Sequence, residues 1–424
     1  MIHITTQGET AYSVAQKYGI SLQRLLFDNQ INNPNKLVPG QALVVLIPEI
    51  IHTVKSGESL YSIAEFYGVS VLSIKRNNPF INTDENIQTG ESIVIKYQGN
   101  KIGNLTINGY AYPFIQKNTL SETLLYLSEL SVFSYGFTIT GELIPIYDYY
   151  LISQAKKFGV SPILTLTPLG EDGKFNNNLV SVLCNNREVR DNLIQNLLKT
   201  VKDRGYSGVN VDFEYVKEND KYNFVEFVGN LTKVLNQNGF KTSVALAPKA
   251  SSDQEGLIYE GIDYKLLGEN ANSVLLMTYE WGYTYGPPMA VAPLNKVKEV
   301  LDYGVTQIPK EKIDMGIPNY GYDWTLPFVR GESEAKIIGN PEAVEIALKN
   351  GAEIKFDNTA MSPYFEYSKD GKEHIVWFED ARSILAKLET AVQYGLRGVG
   401  YWNLMRYFRQ NWMILNNILY IKQT

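Results

Sequence analysis

The last three-quarters of the chain alternates short apolar runs with longer segments of helical periodicity. The short runs are rich in β-branched residues, as buried strands are. Eight such runs occur: Leu105–Tyr110, Leu130–Phe137, Ser161–Thr167, Gly208–Phe213, Thr242–Ala247, Ser273–Met277, Lys312–Ile317 and Gly398–Tyr401. Helix-type segments lie between them, for example Arg187–Arg204, Lys221–Asn238 and Ala381–Tyr394. This alternation is typical of a closed barrel, so we predict an α/β fold with a (β/α)8 TIM barrel over residues 105–424.

The interval between the seventh and eighth runs is too long for one helix. It contains strand-like pieces at Glu353–Asp357, Tyr364–Ser368 and His374–Trp377, and Lys369-Asp370-Gly371 has the composition of a hairpin turn. The pattern predicts a small α+β insertion from about residue 326 to 380, which raises one wall of the groove above the barrel.

The first hundred residues contain an internal repeat. Residues 2–21 are IHITTQGETAYSVAQKYGIS and residues 51–70 are IHTVKSGESLYSIAEFYGVS. Each copy ends in an apolar run, Leu43–Pro48 in the first and Ser92–Tyr97 in the second. The pattern predicts a strand, two helices and a strand in each copy.

Local signals mark the ends of the first helix in each copy. Thr10 and Ser59 are the predicted N-caps, and Gly19 and Gly68 lie where a left-handed residue ends a helix. The predicted units are a first module at 1–48, a second module at 49–97 and a polar, glycine-containing linker at 98–104.

The repeats closely resemble LysM modules, which bind GlcNAc polymers of cell walls. The resemblance rests on the G-E-[ST]-x-Y-S start of each copy and on the Asn followed by Pro/Thr-Gly-Gln/Glu near its end. It implies a sugar groove formed by Gly8–Ala11 with Asn29–Ile31, and by Gly57–Leu60 with Asn78–Ile81. The implied glycan-binding residues are Gly8, Glu9, Thr10, Asn29, Gly57, Glu58, Ser59 and Asn78. In the alternative interpretation, the glycines and asparagines only shape turns, and both can hold together.

The fourth predicted strand carries a ladder of polar side chains. Side chains alternate along a strand, so Asn210, Asp212 and Glu214 share one face and apolar residues share the other. The polar face then points into the barrel and rises toward its C-terminal end, where barrel active sites lie. Two neighbouring carboxyl groups do not ionise together easily, so one keeps a proton and can act as a general acid. The alternative is a buried polar ladder that only orders the core.

This strand resembles that of the family 18 glycoside hydrolases, the chitinase-like enzymes, whose motif is D-x-x-D-x-D-x-E. Here the motif is Ser207-x-x-Asn210-x-Asp212-x-Glu214. The resemblance implies that Glu214 protonates the leaving oxygen and that Asp212 orients the substrate's acetamido group, the nucleophile of a substrate-assisted retaining mechanism. In the family a carboxylate at the position of Asn210 exchanges a proton with Asp212, so this departure bears on the pH profile more than on the activity.

Other strand ends match the same family. The segment Met277-Thr278-Tyr279-Glu280-Trp281 is similar to M-x-Y-[DE]-W, which implies that Tyr279 bonds the acetamido oxygen and that Glu280 contacts the reacting sugar. Trp402 matches the tryptophan under that sugar, and Gly316-x-Pro318-Asn319-Tyr320-Gly321 resembles the end of the seventh strand. The implied substrate-binding residues are Trp402, Glu280, Trp281, Met277, Asn319, Tyr320 and Tyr110.

Composition argues against several other kinds of chemistry. The formal net charge of −6 does not favour nucleic-acid binding, which needs a basic face. The chain has 3 histidines and 1 cysteine in 424 residues, which argues against a Ser-His-Asp triad and against a zinc site. We therefore expect carboxylate chemistry without a metal or other cofactor. No apolar stretch approaches the roughly 18 residues of a membrane span. The N-terminus lacks a signal-peptide pattern, and we expect a monomer.

The implied mechanism restricts the substrate, because the reacting sugar must keep its N-acetyl group. GlcNAc and N-acetylmuramic acid meet this condition, whereas a muramic δ-lactam does not. The LysM-like repeats narrow the polymer to peptidoglycan or chitin. The repeats and barrel together resemble the bacterial spore cortical-fragment-lytic enzymes. That resemblance implies an N-acetylglucosaminidase of the spore cortex or coat region, which cleaves cortex peptidoglycan fragments after GlcNAc during germination. The alternatives are a chitinase acting on chitin oligomers and a non-catalytic glycan-binding spore coat protein.

Overall fold

The computed structural model describes residues 1–81 and 87–423, and its N-terminal part consists of two similar modules. The first contains β1 (Ile2–Ile4), α1 (Ala11–Tyr18), α2 (Leu22–Asp28) and β2 (Ala42–Val44). The second contains β3 (Pro48–Thr53), α3 (Leu60–Tyr67), α4 (Val71–Asn77) and β4 (Ser92–Tyr97). In each module the two strands pair antiparallel and the helices cover them, so the predicted order of strand, helix, helix and strand is confirmed.

The local sequence explains where the first helix of each module begins and ends. The side chains of Thr10 and Ser59 each accept a hydrogen bond from the backbone three residues on, and a serine there bonds back to the cap. Gly19 and Gly68 end the helices with φ of 64°, a left-handed conformation that glycine adopts without steric cost. The predicted caps are confirmed.

A large α/β barrel follows the modules. Its elements up to the seventh barrel strand are β5 (Gly103–Ala111), α5 (Lys117–Leu124), β6 (Glu129–Phe137), β7 (Leu143–Ile144), α6 (Tyr149–Lys157), β8 (Ser161–Leu166), α7 (Asn178–Asn185), α8 (Arg187–Arg204), β9 (Gly208–Val211), α9 (Lys221–Gln237), β10 (Lys241–Leu246), α10 (Tyr264–Asn270), β11 (Ser273–Leu276), α11 (Leu294–Gln307) and β12 (Ile313–Pro318). Short 3-10 helices at Glu218–Asp220 and Lys310–Lys312 precede α9 and β12.

A second, antiparallel sheet is inserted after β12. Its elements are β13 (Gly321–Thr325), β14 (Lys336–Ile338), α12 (Asn340–Asn350), β15 (Lys355–Asp357), β16 (Ser362–Lys369) and β17 (Lys372–Trp377). The strands lie in the order β14-β13-β17-β16-β15, and we call them the inserted sheet. The sheet starts before the predicted boundary near residue 326, because β13 follows β12 almost directly and turns back to pair with β17. The hairpin between β16 and β17 lies at the predicted turn, where Asp370 and Gly371 have φ of 52° and 74°.

The chain then returns to the barrel with α13 (Ala381–Gln393), β18 (Gly398–Trp402), α14 (Arg409–Ile418) and β19 (Leu419–Ile421). The eight parallel barrel strands follow the order β5, β6, β8, β9, β10, β11, β12 and β18, and β18 pairs back with β5 to close the barrel. Each of them overlaps one of the predicted apolar runs, so the predicted TIM barrel is confirmed. Within the described residues, none of the helices has the length and apolar character needed to cross a membrane.

The two modules pack directly on the barrel. Apolar side chains of both belong to the same buried core as the barrel, namely Ala42, Val44, Leu46, Val94 and Tyr97. The backbone N–H of Gln98 donates to Ile47 O at 2.9 Å, and β5 already begins at Gly103. The predicted linker at 98–104 therefore shares its last two residues with a barrel strand, and little chain is left to act as a tether.

Two arginines join the modules to each other and to the barrel. Arg24 of the first module donates to Asn77 O of the second at 2.7 Å, and its guanidinium lies 5.5 Å from the ring centre of Tyr97. Arg409 of α14 lies 3.7 Å from the ring centre of Phe27 in the first module. Stacked guanidinium groups of this kind fix orientation as well as distance.

Candidate active site

Asn210 lies inside the barrel and is held by the neighbouring strand β10 and by β5, which is not adjacent to β9. The hydroxyl of Tyr110 donates to Asn210 Oδ1 at 3.1 Å, and Asn210 Nδ2 donates to Ser243 Oγ at 2.9 Å. Phe213 points the other way and stacks near Phe227 of α9, with ring centroids 6.2 Å apart. The predicted alternation of polar and apolar faces along this strand is confirmed.

Asp212 is a buried carboxyl group just beyond the last regular residue of β9. Its backbone N–H donates to Leu166 O at 2.9 Å, which extends the pairing of the strand. Its Oδ1 atom has no hydrogen-bond partner among the described residues. Burial and then the charge of Glu214 raise the pKa of Asp212 well above its ordinary value. Asp212 also borders the cavity described below, where its carboxyl group can meet a donor group on a substrate.

Glu214 lies at the mouth of the barrel, above Asp212. Its side chain is exposed to the groove, while the groove walls desolvate its carboxyl group enough to raise its pKa. A raised pKa favours the protonated form at higher pH, which is what a general acid requires. One carboxyl group of the pair is therefore kept in the barrel and the other faces the groove.

The carboxyl pair borders a cavity of about 360 Å³, within the size range of small-ligand sites. The cavity is lined by Asp212, Glu214, Ala247, Pro248, Ile258, Tyr259, Met277, Tyr279, Glu280, Trp281 and Trp402. Seven of these are predicted site residues, and they come from the ends of three barrel strands. The indole of Trp402 is fixed by edge contacts with Phe133 and Tyr110, with ring centroids 4.8 and 5.7 Å away.

Glu280 is held by two tyrosines. The hydroxyl of Tyr320 donates to Glu280 Oε1, and that of Tyr322 lies 3.1 Å from both carboxylate oxygens. Glu280 has φ of 67°, a left-handed conformation that costs a non-glycine residue about 1–3 kcal/mol. Burial raises the pKa of Glu280, and the two tyrosine hydrogen bonds act in the opposite direction. The carboxylate is thus presented to the cavity in one fixed orientation.

Three predicted substrate-binding residues lie behind the cavity wall and support it. Tyr110 bonds Asn210 and Tyr320 bonds Glu280, whereas Asn319 Nδ2 donates to the backbone oxygens of the loop after β18 at 3.1 and 2.6 Å. Tyr322 is absent from the predicted set. Its spacing of two residues from Tyr320 was the available signal, because alternate residues of an extended segment share a face.

Known families match both parts of the chain. The model of glycosyl hydrolases family 18 matches residues 164–406, and that of the LysM domain matches residues 3–46 and 52–96. The chain belongs to glycosyl hydrolase family 18. It is similar to the cortical fragment-lytic enzyme of Bacillus subtilis (strain 168), with 36% identity over 98% of this chain and 97% of that protein.

Solved structures resemble this family 18 chain as well. The spore cortex-lytic enzyme SleL of Bacillus megaterium QM B1551 has a TM-score of 0.82 and 36% identity, over 99% of this chain and 98% of that one. A chitinase of Chromobacterium violaceum ATCC 12472 has a TM-score of 0.69 and 25% identity, over 74% of this chain and 98% of that one. The predicted resemblances to family 18 and to LysM domains are confirmed.

In this family 18 barrel, carboxyl groups and aromatic rings line the cavity. Across residues 1–81 and 87–423, no three His, Cys, Asp or Glu side chains form a group able to hold a metal ion.

The two asparagines predicted to bind glycan in the LysM domains are used within the fold. Asn29 and Asn78 each donate to a carbonyl of the preceding helix and to one of the last strand, at 2.7–2.9 Å. Both are buried, and Gln410 of the barrel also donates to Asn29 Oδ1 at 2.9 Å. Their amides therefore join helix to strand rather than face the solvent.

The other polar side chains predicted to bind glycan also have partners inside their repeats. Glu9 and Glu58 each bond a histidine ring and the turn backbone, and Thr10 and Ser59 cap helices. The loop glycines, Gly8 and Gly57, are exposed with open space around them. Backbone groups of these loops remain available to a sugar, and glycan binding there stays a prediction.

Proposed function

We propose that this protein is a retaining N-acetylglucosaminidase that hydrolyses spore cortex peptidoglycan fragments after GlcNAc. The observation that carries the proposal is the pair of Asp212 and Glu214, one buried and one open to the cavity, both with a raised pKa. The similar proteins named as cortical fragment-lytic and spore cortex-lytic enzymes match nearly the whole chain, repeats included. The same likeness supports the spore cortex or coat region as the place of action.

The cleavage step begins with Glu214, which donates its proton to the glycosidic oxygen as the bond to the anomeric carbon breaks. The acetamido oxygen of the substrate forms the new bond to that carbon and gives an oxazolinium ion, so no protein carboxylate acts as nucleophile. The carboxyl group of Asp212 accepts a hydrogen bond from the acetamido N–H. Burial raises the pKa of Tyr279, so its hydroxyl stays protonated and donates to the acetamido oxygen.

The second step returns the active site to its starting state. Glu214, now a carboxylate, takes a proton from a water molecule, whose oxygen attacks the anomeric carbon and opens the oxazolinium ring. Two inversions at this carbon give net retention of configuration. The indole of Trp402 contacts the apolar face of the sugar, and the carboxylate of Glu280 accepts a hydrogen bond from a sugar hydroxyl.

Glu214→Gln tests the acid. The variant keeps the shape of the side chain but cannot transfer a proton, so turnover of soluble cortex fragments should fall at least about 100-fold, with glycan binding retained. Glu218→Gln removes an exposed acid in the same loop, outside the cavity lining, and should keep full activity. Residual activity of Glu214→Gln within about tenfold of the wild type contradicts the assigned role.

Mass spectrometry of wild-type digests tests the substrate. GlcNAc reducing ends on cortex fragments support the proposal, and muramic reducing ends contradict it. Cleavage of chitin oligomers without cortex products identifies a chitinase, the activity named for the Chromobacterium violaceum structure. Binding without any product identifies a glycan-binding protein.

A further inference from the structure

The two LysM repeats contain the same turn before their last strand. In the first repeat Val38 N donates to Gln41 Oε1 at 3.2 Å, and in the second Gln88 N donates to Glu91 Oε2 at 3.0 Å. The backbone N–H of the glycine in each turn donates to the residue that follows the first strand of its repeat. Gly40 donates to Thr5 O and Gly90 to Val54 O, both at 2.8 Å. Val38 and Gln88 therefore occupy equivalent positions, one apolar and one polar.

The surroundings of these two positions differ. Gln88 is exposed, whereas Val38 is 2% exposed. Val38 is part of the buried core of the inserted sheet and its helix α12, together with Ile338, Ala343, Ala347, Ile354, Phe365, Tyr367, Val376 and Phe378. A side chain of the first repeat thus fills the core of the inserted subdomain.

The backbone oxygens of the same turn accept hydrogen bonds from the inserted subdomain and from helix α13. Ile354 N donates to Pro39 O at 2.9 Å, and Arg382 Nη2 donates to Gly40 O at 3.2 Å. A Cβ atom at Gly40 would lie 1.8 Å from Ile354 O, so only glycine permits this approach. At the equivalent Gly90 there is nothing within 4 Å. Gly40 and Gly90 have similar φ, 79° and 88°, so the difference lies in the interface and not in the turn.

The inserted sheet also supports the active site. Ile338 of β14 belongs to the core that Val38 completes, and β14 pairs with β13. Strand β13 carries Tyr322, whose hydroxyl holds Glu280 at the cavity. A continuous set of packed residues therefore connects the turn of the first repeat to a carboxylate that faces the substrate.

We infer that the first LysM repeat is a structural part of the catalytic unit, in which Val38 completes the core of the inserted sheet and so positions Tyr322 and Glu280. The equivalent Gln88 of the second repeat is exposed and does not belong to this core. The first repeat is then required for hydrolysis even of soluble fragments, which need no anchoring to the wall. This inference rests on the proposed function for its activity measurement but not for its stability measurement.

Exchange of the equivalent residues tests the inference. Val38→Gln places the residue of the second repeat in the apolar core, and it should lower kcat/KM on soluble cortex fragments about tenfold to 100-fold, at a temperature where circular dichroism shows the variant folded. Gln88→Val should stay within about twofold of the wild type. Gly40→Ala and Gly90→Ala form a second pair, in which both carry the same left-handed backbone penalty and only Gly40→Ala should lose activity.

A double variant separates positioning from general destabilisation. Val38→Gln and Tyr322→Phe act through the same carboxylate, so Val38→Gln should lower kcat/KM much less in the Tyr322→Phe background than alone. Equal effects in both backgrounds, or equal effects of Val38→Gln and Gln88→Val, overturn the inference. Loss of binding to insoluble wall with unchanged hydrolysis of soluble fragments also overturns it.

The stability measurement holds whatever the substrate is. If the wild type does not hydrolyse cortex fragments, the proposed function fails. A lower Tm for Val38→Gln than for Gln88→Val still supports the structural role, and equal values overturn it.

Discussion

Asn210→Asp restores the acid that the family 18 motif has at this position. The substitution is nearly isosteric, and an aspartate can still accept from the hydroxyl of Tyr110, while the hydroxyl of Ser243 can turn to donate. What changes is charge, because a third carboxyl group is added below Asp212 and Glu214. Activity is lost as the pH rises through the raised pKa of the pair, since the acid must be protonated. A further negative charge makes loss of that proton harder, so the alkaline limb should move to higher pH.

The size of the shift follows from strand geometry. Residues rise about 3.3 Å each, which places the new carboxyl group about 6.6 Å from Asp212 and about 13 Å from Glu214. With an effective dielectric constant of about 20, the repulsion is about 2.5 kcal/mol at the nearer group and about 1.3 kcal/mol at the farther one. These energies correspond to about 1.8 and about 0.9 pH units. The acid is Glu214, which is open to solvent that screens the charge, so we expect a shift somewhat below the unscreened value of about 0.9 pH units.

The assay is the pH dependence of kcat/KM on soluble cortex fragments, which reports the ionisation of the free enzyme. Asn210→Ala is the uncharged control, since it removes the contacts of the amide without adding a charge and should leave the alkaline limb in place. An alkaline limb of Asn210→Asp that stays at the wild-type position, or moves to lower pH, refutes the electrostatic coupling within the ladder.

Two further predictions concern the supports of the site. Tyr322→Phe removes a hydrogen bond that lowers the pKa of Glu280. The value of kcat/KM should therefore fall about tenfold, and the acidic limb of its pH profile should move to higher pH. An unchanged acidic limb contradicts this role. Deletion of Met1–Tyr97 removes five apolar side chains from the core shared with the barrel, of which the valines and the leucine contribute about 1.5–3 kcal/mol each. The truncated barrel should unfold at a lower temperature and aggregate, and a Tm equal to that of the full chain contradicts the shared core.

Helix α8 shows how far local sequence signals determine structure. The predicted and observed bounds are both Arg187–Arg204, because Asn186 accepts hydrogen bonds from two backbone N–H groups at the start and Gly205 takes φ of 79° at the end. The alternation along the fourth barrel strand likewise indicated which side chains face the interior. Signals of this kind lie within one element and need no knowledge of the remaining chain.

Contacts between distant segments were not predictable in this way. Asn32 of the first repeat bonds Glu345 of α12 across 313 residues of sequence, and Val38 lies in the same interface. The repeat motif singled out Asn29 and Asn78, which end the second helix of each repeat, but whether such an amide faces a sugar or its own fold depends on where the last strand passes. That path is set by tertiary packing, which a repeat motif does not contain.

The apolar side chain at position 38 also limits how such chains can be recombined. A domain that is joined to the remaining protein only by a linker can be replaced by another domain, because no residue outside it packs against it. Here the inserted sheet packs against Val38 and Gly40 of the first LysM repeat. A chimera whose first repeat lacks these two residues would have a cavity or a buried polar group in that core. The second repeat can be replaced at its equivalent turn without this conflict. A designed exchange therefore has to replace the first repeat, helix α12 and strand β15 together.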